Sequence, residues 1–183
     1  MTGAPPRPLL AAVLFPRLAE AAARQIAALR RAYDPVPPVA IDPHVTLIFP
    51  TRALEATLFV AQAARSTRGL AAFEFGFDAV TIAPGDEAGT TLLYLVAGQG
   101  SDRIAALHER LHAGLPAEAR RHDRPYLPHM TIGRFMDRTA AEHAAAALGS
   151  DGLKLAAFAA AIDVVRIDAG TAVRIATIGL AGS

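Results

Sequence analysis

Two short stretches of the chain place a histidine two residues before a threonine inside an apolar run. The first is PHVTLIFP, residues 43–50, and the second is LPHMTIGRF, residues 127–135. One such pattern is expected by chance, but both copies share the preceding proline and the apolar flanks. The ordinary histidine pKa of about 6.5 allows one ring to be neutral while its partner is protonated, so a pair can supply a base and an acid.

The chemistry of such a pair follows from strand geometry. Residues i and i+2 of a strand point to the same face, so His44 projects with Thr46 and His129 projects with Thr131. Around one cavity, a neutral ring can take a proton from water and a charged ring can give one to a leaving oxygen. The hydroxyls can donate to phosphate oxygens. This set suits attack of water on a phosphodiester without a metal, for which the sequence shows no clear carboxylate cage.

The elements that must position these residues occur twice in the same order. A strand over residues 9–15 is followed by a helix, a proline-rich loop and the first motif strand. A strand over 91–97 is followed by a helix that Ser101 or Asp102 can cap, an arginine-rich loop and the second motif strand. Pro16 is expected to open the first helix, with its apolar face at Leu18, Ala22, Ile26 and Leu29. Two similar lobes whose sheets face each other would let the motifs share one cleft.

The rest of the chain is expected to complete these lobes. Helices are predicted over residues 54–68 and 138–148, and strands over 73–83, 158–167 and 171–180. We expect residues 1–183 to form a single domain of two similar lobes.

Composition excludes several classes of protein. The 183 residues are 52% hydrophobic and 19% charged, with a net charge of +1 and no cysteine. The weak charge gives no field that attracts polyanions, and without cysteine there is no disulfide framework. The run LLAAVLF near the start is predicted to be a buried strand rather than a signal peptide, and no run approaches a membrane span. We expect a cytoplasmic monomer.

The paired motif resembles the 2H phosphoesterase superfamily, and within it the bacterial 2'-5' RNA ligase and cyclic phosphodiesterase branch. PHVTLIFP is similar to that group's first motif, and HMTIGR to its His-x-Thr-x-x-Arg pattern. The resemblance implies an α+β, bilobal fold, with antiparallel sheets facing a central cleft and helices outside. It also implies opening of 2',3'-cyclic phosphate ends of RNA or nucleotides to 2'-phosphates, with no cofactor or metal.

The resemblance also implies roles for individual residues. His44 is expected to be the acid toward the leaving 3' oxygen, His129 the base that activates water, and Thr46 and Thr131 the phosphate-holding hydroxyls. The chain has no tryptophan, so the candidates for stacking on a base are Tyr126 and the phenylalanines, most of which are expected to lie in the core.

Arginines near the second motif are further candidates for substrate binding. Arg134 occupies the family's arginine position, but its odd spacing turns it away from His129 unless a bulge at Gly133 restores it to the cleft. Otherwise it is a surface arginine. Arg120, Arg121 and Arg124 precede the motif and would either contact a nucleic-acid backbone or form a solvated loop.

Two alternatives remain open at this stage. HERLH, residues 108–112, matches the H-E-x-x-H zinc pattern, in which His108 and His112 would bind zinc and Glu109 would act as base. No motif marks a third ligand, for which Glu118 or Glu142 are candidates, and the same helix already carries an apolar packing stripe. The other alternative is a non-catalytic RNA or nucleotide binder of the same fold, although a binder needs no acid–base pair.

Overall fold

Two antiparallel sheets form the framework of the α+β fold. The computed structural model describes residues 7–120, 125–150 and 152–182. Within these residues no helix is both long and apolar enough to cross a membrane. The strands are β1 Leu9–Leu14, β2 Arg17–Leu18, β3 Val45–Thr51, β4 Phe73–Pro84, β5 Thr91–Ala97, β6 His129–Phe135, β7 Leu155–Ala159, β8 Ala161–Asp168 and β9 Thr171–Gly179, and the helices are α1 Glu20–Tyr33, α2 Ala56–Thr67, α3 Ser101–His112 and α4 Arg138–Ser150.

The sequence patterns explain how these elements bury their apolar faces. β1 is a continuous apolar run and is buried along nearly its whole length. Phe73, Phe75 and Phe77 alternate with more exposed residues on β4, so one face of this strand enters the core. On α3, Ile104, Leu107 and Leu111 are buried as the helical stripe predicts.

The two motif strands lie at the edges of different sheets. The strand order is β3-β1-β8-β9 in the first sheet and β2-β7-β4-β5-β6 in the second. β3 and β6 contact each other, which brings the two His-x-Thr motifs together. The helices pack crosswise: α1 packs against β6 and α3 packs against β3. Each motif strand is therefore supported by the helix that belongs to the other strand-helix-strand unit.

Both motif strands carry a bulge immediately after the threonine. Val13 pairs with Thr46 and the next pair joins Ala12 to Ile48, so the intervening Leu47 has no partner on β1. On the other sheet, Tyr94 pairs with Thr131 and Leu93 pairs with Gly133, which leaves Ile132 without a partner on β5. A bulge resets the alternation of side chains along a strand.

Three expectations about element boundaries were wrong. Pro16 does not open α1, because Arg17 and Leu18 first pair with β7 as the short strand β2. Neither Ser101 nor Asp102 caps α3, because the N-cap residue is Gly100, which has the left-handed conformation and makes no side-chain cap. A Cβ there would come within 2.8 Å of the Glu74 carbonyl oxygen, so close packing favours glycine over a capping side chain. The strand expected over residues 158–167 is two strands, because the chain leaves one sheet for the other at Ala160.

The bulge on β6 allows close approach of α1 only because residue 133 is glycine. A Cβ on Gly133 would lie 2.9 Å from the Tyr33 Cβ, 2.9 Å from the Phe135 ring and 3.1 Å from the Leu93 Cβ. We therefore expect Gly133→Ala to reduce the free energy of unfolding by about 1–3 kcal/mol, the usual cost of overpacking a core.

The free energy of unfolding of both proteins would be measured by urea denaturation. Gly149→Ala is the matched control, because nothing lies within 4 Å of its Cβ position and alanine favours its helix. Equal stabilities of the two variants would contradict the packing argument.

Candidate active site

His44 lies directly before β3, where its ring is held by a local turn and an aromatic neighbour. Its Nδ1 lies 2.8 Å from the carbonyl oxygen of Asp42. The ring of Phe15 approaches edge-on, with 6.1 Å between the ring centroids.

His129 is held in the same way at the start of β6. Its Nδ1 lies 2.6 Å from the carbonyl oxygen of Leu127, again two residues earlier in the chain. The ring stacks on Tyr94 of β5, with centroids 3.7 Å apart. In both motifs, then, Nδ1 contacts a backbone carbonyl and the ring contacts an aromatic side chain from a neighbouring strand or its end.

These two carbonyl contacts define the tautomer of both rings. A carbonyl oxygen can only accept a hydrogen bond, so each Nδ1 must carry the proton and donate it. In the neutral ring Nε2 then carries a lone pair, and in the charged ring it is a second N–H donor. Both histidines are therefore held with Nε2 as the atom that exchanges protons, as acid–base catalysis requires.

Two adjoining cavities surround the motif residues. The first, of about 680 Å³, is lined by His129 and is here called the His129 cavity. The second, of about 240 Å³, is lined by His44 and is called the His44 cavity. Thr46 and Thr131 line both cavities. The two hydroxyl-bearing residues are thus shared by the cavities of the two imidazoles, where a phosphate could contact both hydroxyls.

The bulges bring one further residue of each motif into the cavities. Arg134 lines the His44 cavity, and Phe49, its counterpart five residues after the first histidine, lines the His129 cavity. Arg134 Nε lies 3.7 Å from the carboxylate of Asp34, the residue directly after α1. Burial raises the pKa of Asp34, against the lowering effect of Arg134 and Arg30. The buried carboxylate and Arg134 are thus held together at the wall of this cavity.

The environment of His44 disfavours its charged form. Although part of the residue reaches solvent, burial of the ring lowers the pKa of His44 to about 4, and the charges of Arg30 and His129 also lower it, against the Asp42 carbonyl, which raises it. The ring is therefore neutral at neutral pH in the free protein. Because the unfolded chain binds this proton more readily, the contribution of His44 to stability is present above pH 6.5 and is lost as the pH falls toward 4.

The remaining candidates from the sequence have different surroundings. Tyr126 lines the His129 cavity, donates its hydroxyl to the Thr46 carbonyl oxygen at 2.9 Å, and stacks on His108. Arg120 lines the same cavity and pairs with Glu109 at 3.0 Å. Arg121 and Arg124 lie outside the described residues. The substrate-binding roles of Tyr126 and Arg134 therefore stay predictions, now with both residues located at the cleft.

The HERLH histidines are buried and make other contacts. His108 Nδ1 donates to the Leu47 carbonyl oxygen at 2.7 Å, and His112 Nδ1 donates to the His108 carbonyl oxygen at 2.9 Å. Across the described parts of the chain, no three His, Asp or Glu side chains lie close enough to hold a metal. The two expected third ligands, Glu118 and Glu142, are not brought to this pair. The zinc hypothesis thus lacks a complete ligand set.

Several residues at the site were not singled out from the sequence. Phe49 could have been found by aligning the two motifs, since it occupies the position of Arg134. Tyr94 is the only polar aromatic residue in the apolar run TLLYLVA. Asp34 and Asp86, which lines both cavities, carry no sequence signal, because only the fold brings them to the cleft.

The ring geometry predicts the nuclear magnetic resonance properties of the two histidines. In their neutral forms both rings should carry the proton on Nδ1, and His44 should titrate near pH 4 because burial disfavours its charge. Nitrogen–proton correlation spectra recorded across a pH series would measure tautomer and pKa together. A neutral His44 ring with its proton on Nε2 would contradict the geometry, and titration near 6.5 would contradict the effect of burial.

Comparisons with known proteins agree with this arrangement. The model of the 2'-5' RNA ligase superfamily matches residues 18–171. The fold is similar to TT0787 of Thermus thermophilus (TM-score 0.62, 17% identity, 96% of this chain and 99% of that one). It is also similar to Escherichia coli LigT with 3'-AMP, with a TM-score of 0.59 and 15% identity over 95% of this chain and 98% of that one. Kluyveromyces marxianus Usb1 has a TM-score of 0.58 and 11% identity over 95% of this chain and 99% of that one. At these identities the structures support the fold, and none of the curated proteins matches. Because the family model matches most of the chain, the chain belongs to the 2'-5' RNA ligase superfamily of 2H phosphoesterases.

Proposed function

We propose that the protein hydrolyses 2',3'-cyclic phosphate ends of RNA or nucleotides with His44 and His129 as an acid–base pair. The observation that carries the proposal is the duplicated histidine–threonine pair, with each Nδ1 donating to a carbonyl and both threonines lining the two adjoining cavities. Membership of a phosphoesterase superfamily supports the same chemistry.

The reaction transfers two protons while one phosphorus–oxygen bond forms and another breaks. His129 Nε2 accepts a proton from water as the water oxygen attacks phosphorus. The bond from phosphorus to the 3' oxygen breaks, and protonated His44 gives its Nε2 proton to that oxygen. Thr46 and Thr131 donate hydroxyl hydrogen bonds to the non-bridging oxygens. The product is a 2'-phosphate, and the two rings exchange protonation states during the turnover.

The charge of the substrate bears on the role of His44. In the free protein this ring is neutral, whereas an acid must be protonated. A phosphodiester anion about 4 Å away favours the charged ring by about 4 kcal/mol at an effective dielectric constant of about 20. That attraction is enough to bring the pKa of His44 back toward its ordinary range. Substrate binding would therefore favour protonation of His44, the acid.

The walls of the His129 cavity suit a nucleoside. Phe49, Tyr94 and Tyr126 contribute aromatic surface, and the volume of about 680 Å³ lies within the range of small-molecule sites. Among the structures of similar fold, LigT is recorded with 3'-AMP and Usb1 with uridine monophosphate. On the other side, Arg134 lines the His44 cavity and supplies a positive charge beside the phosphate.

The first test is hydrolysis of 2',3'-cyclic AMP and of an RNA with a 2',3'-cyclic phosphate end, both in EDTA. His44→Ala and His129→Ala should each lower kcat at least about 100-fold, because each removes a proton-transfer group. Thr46→Ala and Thr131→Ala should cost about tenfold each, as the loss of one hydrogen bond to a charged phosphate.

His143→Ala is the matched control for these variants, because this histidine is exposed on α4, away from both cavities. Folded His44→Ala or His129→Ala variants with wild-type rates would disprove the mechanism. Tight binding of the cyclic nucleotide without turnover by the wild type would instead favour the non-catalytic binder.

The pH dependence should show the effect of the substrate on His44. A plot of kcat/KM against pH should be bell-shaped, because activity needs one ring protonated and the other neutral, and one limb should lie near pH 4 because this ratio reports His44 in the free protein. In the plot of kcat that limb should lie at higher pH, because the bound anion raises the pKa of His44. A monotonic profile would contradict the paired mechanism, and a limb near pH 4 in both plots would contradict the effect of the substrate on His44.

A further inference from the structure

The first motif strand is contacted from outside its sheet by two side chains that the hydrolytic mechanism does not use. Tyr126 donates its hydroxyl to the Thr46 carbonyl oxygen at 2.9 Å. His108 donates Nδ1–H to the carbonyl oxygen of Leu47, the next residue, at 2.7 Å. Two consecutive carbonyls at the bulge thus accept hydrogen bonds from side chains outside the sheet.

The position of these bonds in the sheet gives them structural importance. β3 is an edge strand, and at Leu47 its pairing with β1 is interrupted. Leu47 is fully buried, so without a donor its carbonyl would be desolvated and unpaired, at a cost of about 1–3 kcal/mol. The bulge that follows Thr46 therefore depends on donors from elsewhere in the chain.

The two donors act as one unit. The rings of His108 and Tyr126 stack with centroids 3.7 Å apart and an angle of 5° between their planes. His108 lies on α3, and Tyr126 lies three residues before His129 in the segment that leads into β6. The stacked pair consequently links the backbone of the first motif to the segment that carries the second motif.

We propose that His108 and Tyr126 are positioning residues that hold the bulge after Thr46 and so direct the Thr46 hydroxyl toward the phosphate. The proposal rests on the proposed function of Thr46. It gives the HERLH segment a role in placing the first motif, in place of zinc binding. Small displacements of a positioned group are enough to reduce catalysis substantially.

A double-mutant cycle tests whether Tyr126 acts through Thr46. Tyr126→Phe keeps the ring and its stacking but removes the hydroxyl, and it should lower kcat/KM for 2',3'-cyclic AMP about tenfold. In a Thr46→Ala background the same substitution should lower kcat/KM less than about twofold, because the hydroxyl that it positions is gone. A tenfold loss in both backgrounds would overturn the proposal.

A matched pair of substitutions tests the contribution of His108. His108→Asn retains a donor near the position of Nδ1, whereas His108→Leu removes the donor and keeps an apolar side chain. We expect the asparagine variant to keep kcat/KM within about threefold and the leucine variant to lose about tenfold or more. Equal losses in the two folded variants would show that the ring, not the donated hydrogen bond, matters. If the leucine variant does not fold, the Tyr126 cycle decides.

The positioning proposal and the proposed function fail in different ways. If the wild type hydrolyses the substrate but the cycle is additive, positioning is wrong and the function stands. If no turnover occurs, the same cycle is applied to the dissociation constant of inorganic phosphate. This constant is measured by titration, with the amide signals of Thr46 and Thr131 as the readout. Tyr126→Phe should then weaken phosphate binding in the wild type but not in Thr46→Ala, and equal weakening in both would overturn the positioning role.

Discussion

The geometry of the cleft depends on two edge strands that lie side by side but belong to different sheets. A strand inside a sheet has neighbours on both sides, and its backbone is fully used by pairing. β3 and β6 each lie at the edge of a sheet, so their residues can form a common wall without belonging to one ladder. The backbone of such edges must then find other hydrogen-bond partners. On β3, the hydroxyl of Tyr126 and the ring of His108 supply them.

The crosswise packing of the helices makes the two halves of the site interdependent. α1 follows β1 in the chain but supports β6, where Tyr33 and Asp34 meet Gly133 and Arg134. α3 follows β5 but supports β3 through His108. Neither strand-helix-strand unit could form its own half of the site alone. Loosening one helix would disturb the motif of the other unit first.

The sequence was sufficient for the features that have a local cause. The two motif strands, the apolar run of β5 and the stripe on α3 all follow from local patterns of apolar residues, and the structure agrees with them. The sheet change at Ala160 could not be found, because the run FAAAID has no periodicity and the change is determined by closure of two sheets. The partners of His108 were also hidden, since a carbonyl 61 residues away leaves no mark in the chain.

The bulges have a consequence for the orientation of whatever occupies the cleft. Two identical halves would accept a phosphodiester equally well in either direction, because reversing it would exchange equivalent contacts. The matching bulges bring an aromatic ring to one cavity, at Phe49, and a guanidinium to the other, at Arg134. Together with the different volumes of the two cavities, these two residues give the duplicated framework a direction.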